Sequence, residues 1–176
     1  MYSNVRIDIL RGIPNEFRKW LPDWLKHSGG VGKRLTDTIL AAKLHDIGKV
    51  GIPEHILNKS GPLTQEEYEQ IKSHPGIGEA ILSPIERLRP IARIVRHHHE
   101  RVDGGGYPDG LRGKDIPVES RLVAIVDAFD AMTSARPYRG AIPAERAAEE
   151  IRKKMGKQFD SDLSACFLDL FDSGHI

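Results

Sequence analysis

Apolar residues recur with the helical period along most of the chain, and no stretch shows the apolar–polar alternation of a β-strand. The pattern predicts an all-α fold. Helices are expected over 14–26, 35–47, 64–72, 77–82, 90–99, 119–134, 144–155 and 161–171. The first of them is interrupted by Pro22 and followed by a glycine-rich stretch, so it is expected to be short.

Three local signals set the limits of elements in the middle of the chain. Thr64 and Glu67 have the spacing of a capping box, which starts a helix. Pro75 is expected to end that helix at a bend that contains His74. Residues 103–117 (DGGGYPDGLRGKDIP) are rich in glycine and proline and predict a shaped loop.

Composition limits the classes of function. The 176 residues include 26 Lys plus Arg and 25 Asp plus Glu, which gives a formal net charge of +1. With 39% hydrophobic residues, a chain of this length can form a real core, and one domain is expected. A nearly neutral chain lacks the basic excess of a DNA-binding or membrane-surface protein, so an anionic ligand would be held by a local cluster.

Cys166 is the one cysteine of the sequence, which excludes an intramolecular disulfide and a cysteine-rich zinc site. A chain with one cysteine and no disulfide fits a reducing compartment, and the cytoplasm is the predicted location. The longest uncharged apolar run, 122–126, is too short to cross a membrane. Residues 1–9 lack the pattern of a signal peptide.

Aspartates interrupt two apolar helical segments. His45 and Asp46 lie near the end of one, in AAKLHDIGKVGI. Asp127 lies inside the other, LVAIVDAFDAM, with Asp130 three residues further on the same helix face. Because a buried carboxylate costs several kcal/mol unless it is paired or bound to a metal, these aspartates need partners.

His97, His98 and His99 follow one another at a predicted helix end, directly before the glycine-rich loop. Three consecutive imidazoles on a helix cannot all point in one direction. Two of them can reach one cleft, and the third is expected to be a bystander.

Each of these sets also has an ordinary structural explanation. The His45–Asp46 pair would be a solvated helix end, Asp127 would pair with a distant arginine, and the three histidines would form an exposed helix end. Together with His74, however, and with one histidine of the three set aside as the bystander, the sets provide four imidazoles, the two carboxylates of Asp46 and Asp127, and no thiolate. Such nitrogen and oxygen ligands suit Fe, Mn, Co, Ni or Zn in a catalytic site.

Six ligands exceed the need of one catalytic ion. Two ions about 3.5–4 Å apart, bridged by a carboxylate, would use all six and suit the hydrolysis of phosphate esters. Asp46 is the expected bridge. Lys49 follows it by one turn, while Arg136 and Arg139 follow the helix of Asp127. Each of these three cations is either a contact to a phosphate or an ordinary surface charge.

The chain resembles the HD-GYP family of cyclic di-GMP phosphodiesterases, a branch of the HD superfamily, in three segments: HDIGK (45–49), HHHERVDGGGYPDG (97–110) and VDAFDAMTSARPYR (126–139). The likeness extends from about residue 35 to residue 171 and includes QFD at 158–160. Because Gly106, Tyr107 and Pro108 match the motif in the family's name, residues 103–117 are called the GYP loop below.

The resemblance implies an HD-superfamily helical bundle over 31–176, preceded by residues 1–30 as an N-terminal helix or a linker. It implies an enzyme that hydrolyses cyclic di-GMP to pGpG, and in some members further to GMP. Two or three divalent ions, iron or manganese, would serve as cofactors. Many members are output domains of sensory proteins, so a sensor or GGDEF-type protein is an expected partner.

The resemblance also implies a role for each matching residue. The implied metal ligands are His45, Asp46, His74, His98, His99 and Asp127, and His97 becomes the bystander. The implied substrate-side residues are Lys49, Tyr107, Asp130, Arg136 and Arg139. Of these, Lys49 would lie near the scissile phosphate and act in catalysis with His45 and Asp46, and the arginines would lie toward the dinucleotide.

The chain departs from the family pattern in front of His45. The family usually places a further histidine there, often with an acidic residue four positions earlier, and His27 with Asp23 has this spacing. Only 17 residues separate His27 from His45, which is short for the family's long helix, turn and helix. Asp23 and His27 are therefore the candidate ligands of a third ion, and the choice between two and three ions depends on them.

Two other functions stay open from the sequence. One is a non-catalytic signalling module that binds cyclic di-GMP or a partner protein through the GYP loop, motivated by the altered front of the chain. The other is an HD phosphohydrolase that acts on another nucleotide. The intact ligand motifs argue against the first, and the GYP loop argues against the second.

Overall fold

The computed structural model describes residues 31–134 and 140–174. In this part of the chain the α-helices are α1 (Val31–Leu44), α2 (Glu54–Leu57), α3 (Gln65–Lys72), α4 (His74–Leu82), α5 (Arg89–Arg96), α6 (Val118–Thr133), α7 (Ala144–Lys153) and α8 (Ser161–Asp172). Short 3-10 helices lie at Ile47–Gly51, Glu86–Leu88 and Gly113–Asp115. The described residues contain no β-strand, only an isolated bridge between Met155 and Phe159. The prediction of an all-α fold is confirmed.

Several helix limits differ from the sequence prediction, and the helix predicted over 90–99 ends at Arg96. Two further differences have clear local reasons. The helix predicted over 35–47 ends at Leu44, because the chain tightens into the 3-10 helix Ile47–Gly51. The helix predicted from residue 77 already begins at His74, because a proline such as Pro75 is well tolerated in the first turn of a helix. The four-residue helix α2 is too short to show a period in the sequence. The helix predicted over 14–26 lies outside the described residues.

The capping box predicted before α3 is present. The Thr64 hydroxyl accepts a hydrogen bond from the Glu67 backbone N–H at 3.3 Å, and the Glu67 carboxylate accepts one from the Thr64 N–H at 2.7 Å. These bonds satisfy two backbone donors that a helix start otherwise leaves free. The start of α3 is thus fixed by its own sequence.

The apolar core has two parts that share α6. On one side of this helix Val123 packs with Val95 of α5. On the other side Ile125 packs with Ile151 of α7 and Phe167 of α8. Helix α6 is therefore held from both sides, which gives its polar residues a fixed position. Among the described helices, none combines the length and the apolar composition that a membrane crossing requires.

A close approach of backbones joins the 3-10 helix Ile47–Gly51 to α4. Gly48 is buried there, and a Cβ at this position would overlap the carbonyl oxygen of His74 and approach the backbone N of Gly78 to 2.6 Å. Only a residue without a side chain permits this contact. The contact sets the distance between the residues that follow α1 and the first residue of α4.

Candidate metal centre

The six predicted ligands meet where the ends of α1, α4 and α5 reach the middle of α6. Their ligand atoms form two overlapping groups, in each of which all atoms lie within 4.8 Å of one another. One group contains His74, His98 and His99, and the other contains His45, Asp46 and His98. Asp127 of α6 completes the cluster, with Oδ1 at 3.4 Å from Nε2 of His45. His98 is shared by both groups.

Backbone carbonyls fix the orientation of three of these imidazoles. Nδ1 of His45, His74 and His98 each lies at hydrogen-bond distance, 2.7, 2.7 and 2.6 Å, from the carbonyl oxygen three residues earlier. Because a carbonyl oxygen only accepts, Nδ1 carries the hydrogen and donates it. This leaves Nε2, on the cluster side, as the ligand atom, the usual arrangement of metal-binding histidines.

Burial keeps three of the imidazoles neutral. His74 and His98 are both 1% exposed, and this loss of hydration lowers the pKa of each below its usual value. For His99, burial together with the nearby His74 lowers the pKa to about 3. A neutral imidazole offers a lone pair to a cation, so these three side chains are in the state that metal binding requires.

Asp46 lies between the two groups of ligands. Its Oδ1 is 3.4 Å from Nε2 of His74, and its Oδ2 is 3.4 Å from Nε2 of His45. Oδ2 also accepts a hydrogen bond from Lys49 Nζ at 2.6 Å. Burial works to raise the pKa of Asp46, but His45 and Lys49 outweigh it and hold that pKa well below its usual range. The carboxylate is ionised, with one oxygen toward each group.

His45 stands between two carboxylates. Burial lowers its pKa, but hydrogen bonds and charge from Asp127 and Asp46 more than offset this and raise the pKa to about 10. A proton is thus held where the acidic side chains converge, and a divalent cation would compete for the same place. The donor set of nitrogen and oxygen atoms, largely shielded from water and without thiolate, fits ions such as iron or manganese.

His97 lies outside both groups of ligands. Its Nδ1 donates to the carbonyl oxygen of Arg93 at 2.9 Å, and its Nε2 is 2.9 Å from Oδ2 of Asp109. Asp109 also receives two hydrogen bonds from the Arg96 guanidinium, each of 2.7 Å. These contacts tie the end of α5 to the GYP loop.

The GYP loop is fastened to the cluster by a buried carboxylate. Glu100 is 3% exposed and accepts hydrogen bonds from the backbone N–H groups of Asp109, at 2.7 Å, and Leu111, at 3.1 Å. Gly106 packs so closely on the backbone of residues 99–101 that any Cβ would overlap it. The loop therefore carries Tyr107 against the metal centre, with its ring centroid 4.9 Å from that of His99.

A cleft of about 470 Å³ opens beside the cluster. His98, His99, Tyr107 and Asp127 form part of its wall. Asp130, predicted on the substrate side, is half-buried and accepts a hydrogen bond from the Ser134 hydroxyl at 3.3 Å. The other predicted site residues, Asp23, His27, Arg136 and Arg139, lie outside the described residues.

Three residues near the centre were not predicted from the sequence. Tyr68 and Lys72 of α3 line the cleft, and Glu100 fastens the loop. The sequence offers one indication that Lys72 lies near the centre, because it precedes the predicted ligand His74 by two residues. For Glu100 the signal is its position directly after the three histidines.

Known proteins resemble the chain in sequence and in fold. The family model described as HD domain matches residues 15–163. A cyclic di-GMP phosphodiesterase of Thermotoga maritima is 45% identical over 156 residues, which are 86% of this chain and 42% of that protein. The cyclic di-GMP phosphodiesterase response regulator RpfG of Xanthomonas campestris pv. campestris is 46% identical over 69% of this chain and 32% of that protein. The 3'3'-cGAMP-specific phosphodiesterase 2 of Vibrio cholerae is 38% identical over 84% of this chain and 29% of that protein.

Among solved structures, Bd1817, a HDG"Y"P protein from Bdellovibrio bacteriovorus, matches with a TM-score of 0.64 and 23% identity. The match covers 80% of this chain and 44% of that chain, and it supports the fold. The chain spans less than half the length of these curated relatives. The family match extends over most of the chain and includes the cluster and the GYP loop. The chain belongs to the HD domain family, as a member of its HD-GYP branch.

Proposed function

We propose that this chain is a metal-dependent phosphodiesterase that hydrolyses cyclic di-GMP to linear pGpG. The observation that carries the proposal is the position of Asp46, with one carboxylate oxygen toward His74 and the other toward His45. This arrangement supports two ions bridged by one carboxylate. The names of the relatives support a cyclic dinucleotide as the substrate.

His45, Asp46, His74, His98, His99 and Asp127 would hold the ions, for which we propose iron or manganese. Bound ions of this kind activate water and neutralise charge that develops on a phosphoryl group. Backbone carbonyls fix the rings of three of these histidines, which leaves their Nε2 atoms as the atoms that would bind an ion. Asp23 and His27 would serve a third ion, which remains a prediction.

The chain's own residues would prepare the substrate. Lys49 Nζ lies beside Asp46, so its positive charge stands at the edge of the centre where a phosphoryl oxygen would arrive. Tyr107, which burial keeps protonated by raising its pKa, would contact the nucleotide from the GYP loop. Arg136 and Arg139 would bind the far part of the dinucleotide, again as a prediction.

The partner proposal concerns a longer protein. The relatives extend well beyond the matched region, and one of them is named a response regulator. Both facts support the expectation that this unit serves a sensor or works with a GGDEF-type protein. A pull-down from the source cells with the wild-type chain would test this expectation.

The first experiment combines metal analysis with turnover. Protein purified without chelator under anaerobic conditions is expected to contain two or three ions per chain and to convert cyclic di-GMP to pGpG. GMP as a second product would show a second hydrolysis. The double variant His45→Ala/Asp46→Ala is expected to lose both metal and turnover.

A matched control lies in α2, where Glu54 and His55 are adjacent and exposed. The variant Glu54→Ala/His55→Ala removes the same kinds of group outside the cluster and should keep metal and activity. Turnover at the parental rate in the His45→Ala/Asp46→Ala variant would refute the assignment. Wild-type protein that binds cyclic di-GMP but forms no product after reconstitution with iron and manganese would be a signalling module instead.

A further inference from the structure

The cleft beside the metal centre has a wall supplied by α3, to which the proposed mechanism gives no role. Tyr68 and Lys72 of this helix line the cleft together with Tyr107 and His99. Because the first two are four residues apart on one helix, their side chains share a face. That face looks into the space next to the predicted ligands.

Lys72 lies between two aromatic rings. Its Nζ is 4.8 Å from the ring centroid of Tyr68 and 5.9 Å from that of Tyr107. It also donates a hydrogen bond to Oε1 of Glu69 at 2.8 Å. An ammonium group has three donors, so this bond leaves donor capacity for a ligand.

Tyr68 is 43% exposed although it is a large aromatic residue. An exposed ring at the edge of a cleft offers a flat surface on which a nucleobase can stack. The Tyr107 ring, 4.9 Å from that of His99, places the same cleft next to the metal centre. A dinucleotide whose phosphate is held at the centre would have a base within reach of α3.

We propose that Tyr68 and Lys72 form a subsite for one guanine of the cyclic dinucleotide, in which the base stacks on the Tyr68 ring and the Lys72 ammonium donates to its O6 and N7 atoms. This inference rests on the proposed function and adds the base recognition to it. Guanine presents two acceptors on this edge, whereas adenine presents one acceptor and an amino donor. Lysine only donates, so the subsite favours guanine over adenine.

The surroundings of Lys72 favour a base over a phosphate as its ligand. Two rings flank the ammonium, and Glu69 already neutralises part of its charge. A phosphate would gain little binding energy from contact with the rings. A planar base can stack on the Tyr68 ring and accept hydrogen bonds from the Lys72 ammonium at the same time. Arg101, a second cation among the described residues of the cleft wall, has its guanidinium engaged by Asp103.

The test uses Lys72→Met, which keeps the length of the side chain and removes its donors. For the metal-loaded chain, kcat/KM with cyclic di-GMP is expected to fall about tenfold. The ratio of kcat/KM for cyclic di-GMP to that for cyclic di-AMP is expected to fall with it. Hydrolysis of bis(p-nitrophenyl) phosphate, a diester without a base, should stay within about twofold of the parent.

Binding provides a readout that needs no turnover. The Kd of cyclic di-GMP, measured by calorimetry, is expected to rise about tenfold in Lys72→Met. Lys153→Met is the matched control, because Lys153 forms the same i,i+3 ion pair with Glu150 on α7 and does not line the cleft. This control should keep the affinity and the rates of the parent.

Two variants of Tyr68 separate the ring from its hydroxyl group. Tyr68→Phe keeps the stacking surface and is expected to bind cyclic di-GMP with the parental Kd. Tyr68→Leu removes the ring and is expected to raise the Kd about tenfold. Equal weakening in both variants would show that the ring is not the binding element, and the proposal would be wrong.

The outcomes for Lys72→Met separate this inference from the proposed function. If bis(p-nitrophenyl) phosphate hydrolysis falls by the same factor as cyclic di-GMP hydrolysis, Lys72 acts on the phosphate or the metal centre, and the guanine subsite is refuted. It is also refuted if Kd and kcat/KM with cyclic di-GMP do not change. Failure of the proposed function itself would appear in the wild-type chain, as metal-loaded protein that neither binds nor hydrolyses cyclic di-GMP.

Discussion

The Nε2 atoms of His74 and His98 lie 3.4 Å apart in the buried centre of the molecule. Both Nδ1 atoms donate to backbone carbonyls, so both Nε2 atoms present lone pairs to the same space. Two lone pairs at this distance repel each other unless a cation lies between or beside them. The positions of α4 and α5 fix the two rings in this arrangement. A bound metal ion would remove the repulsion between the two lone pairs.

Removal of His98 tests its assignment as a ligand. His98→Ala is expected to lower the metal content per chain, since Nδ1 donates to the Val95 carbonyl and Nε2 offers its one lone pair within the cluster. The metal content is measured by mass spectrometry of the elements after anaerobic purification.

The adjacent His97 provides the control for this experiment. His97→Ala removes an imidazole next to the cluster, but one bonded to Asp109 instead of the ligand groups. The variant should keep the parental metal content. Equal losses of metal in His97→Ala and His98→Ala would contradict the assignment of ligands.

Lys49 is expected to act on the substrate and not on metal retention. Lys49→Met should lower kcat for cyclic di-GMP about 100-fold, the typical cost of removing one group that stabilises developing charge. Metal content should be unchanged, because Asp46 keeps its place between the ligand groups. Lys43→Met, at an exposed position of α1, is the matched control and should keep the parental kcat. A kcat within twofold of the parent in Lys49→Met would refute the role.

Glu100 is expected to position the GYP loop. In Glu100→Gln an amide replaces a buried carboxylate that accepts two backbone N–H groups, so at least one donor meets an NH2 group or a weaker acceptor. The free energy of unfolding should fall by about 1–3 kcal/mol. Amide hydrogen exchange should increase at residues 109–111.

The exposed Glu149 of α7 gives the control for this change of charge. Glu149→Gln should leave the unfolding free energy within about 0.5 kcal/mol of the parent. Because Glu100 holds Tyr107 near the cleft, kcat should fall in Glu100→Gln while the metal content is kept. Unchanged exchange at residues 109–111 would show that the carboxylate does not hold the loop.

The features that could be predicted from the sequence are those set by local signals. The capping box at Thr64 and the all-α pattern depend on residues close in sequence, and the structure contains both. The structure brings His45 and Asp127 together as well, because an acidic or ionisable residue in an apolar segment requires a partner.

The remaining features depend on contacts between distant segments. Which of the three consecutive histidines turns away could not be derived from helical geometry, because α5 ends at Arg96 and residues 97–99 form a turn. Lys72 lies near Tyr107 and thereby brings α3 next to the GYP loop. A contact between segments so far apart in sequence cannot be predicted from a local pattern. The early start of α4 follows from Pro75, because a proline can stand in the first turn of a helix as well as after the end of one.

Gly48 gives a test of the backbone contact that positions His74. In Gly48→Ala the new methyl group would overlap the His74 carbonyl oxygen and lie 2.6 Å from the backbone N of Gly78. Backbone atoms cannot rotate away as a flexible side chain can, so the 3-10 helix and α4 must separate. We expect a loss of about 1–3 kcal/mol in unfolding free energy, the usual cost of overpacking.

The measurement for Gly48→Ala is urea denaturation of the metal-free protein, because bound metal would add its own stabilisation to the folded state. Gly61→Ala is the matched control, since a Cβ at this exposed position meets no atom within 4 Å. Gly61→Ala should unfold at the same urea concentration as the parent. Separation of the 3-10 helix from α4 also moves His74 away from Asp46, so metal-loaded Gly48→Ala should bind fewer ions than the parent. A Gly48→Ala protein with the parental midpoint and the parental metal content would show that the centre tolerates a wider gap between these two segments.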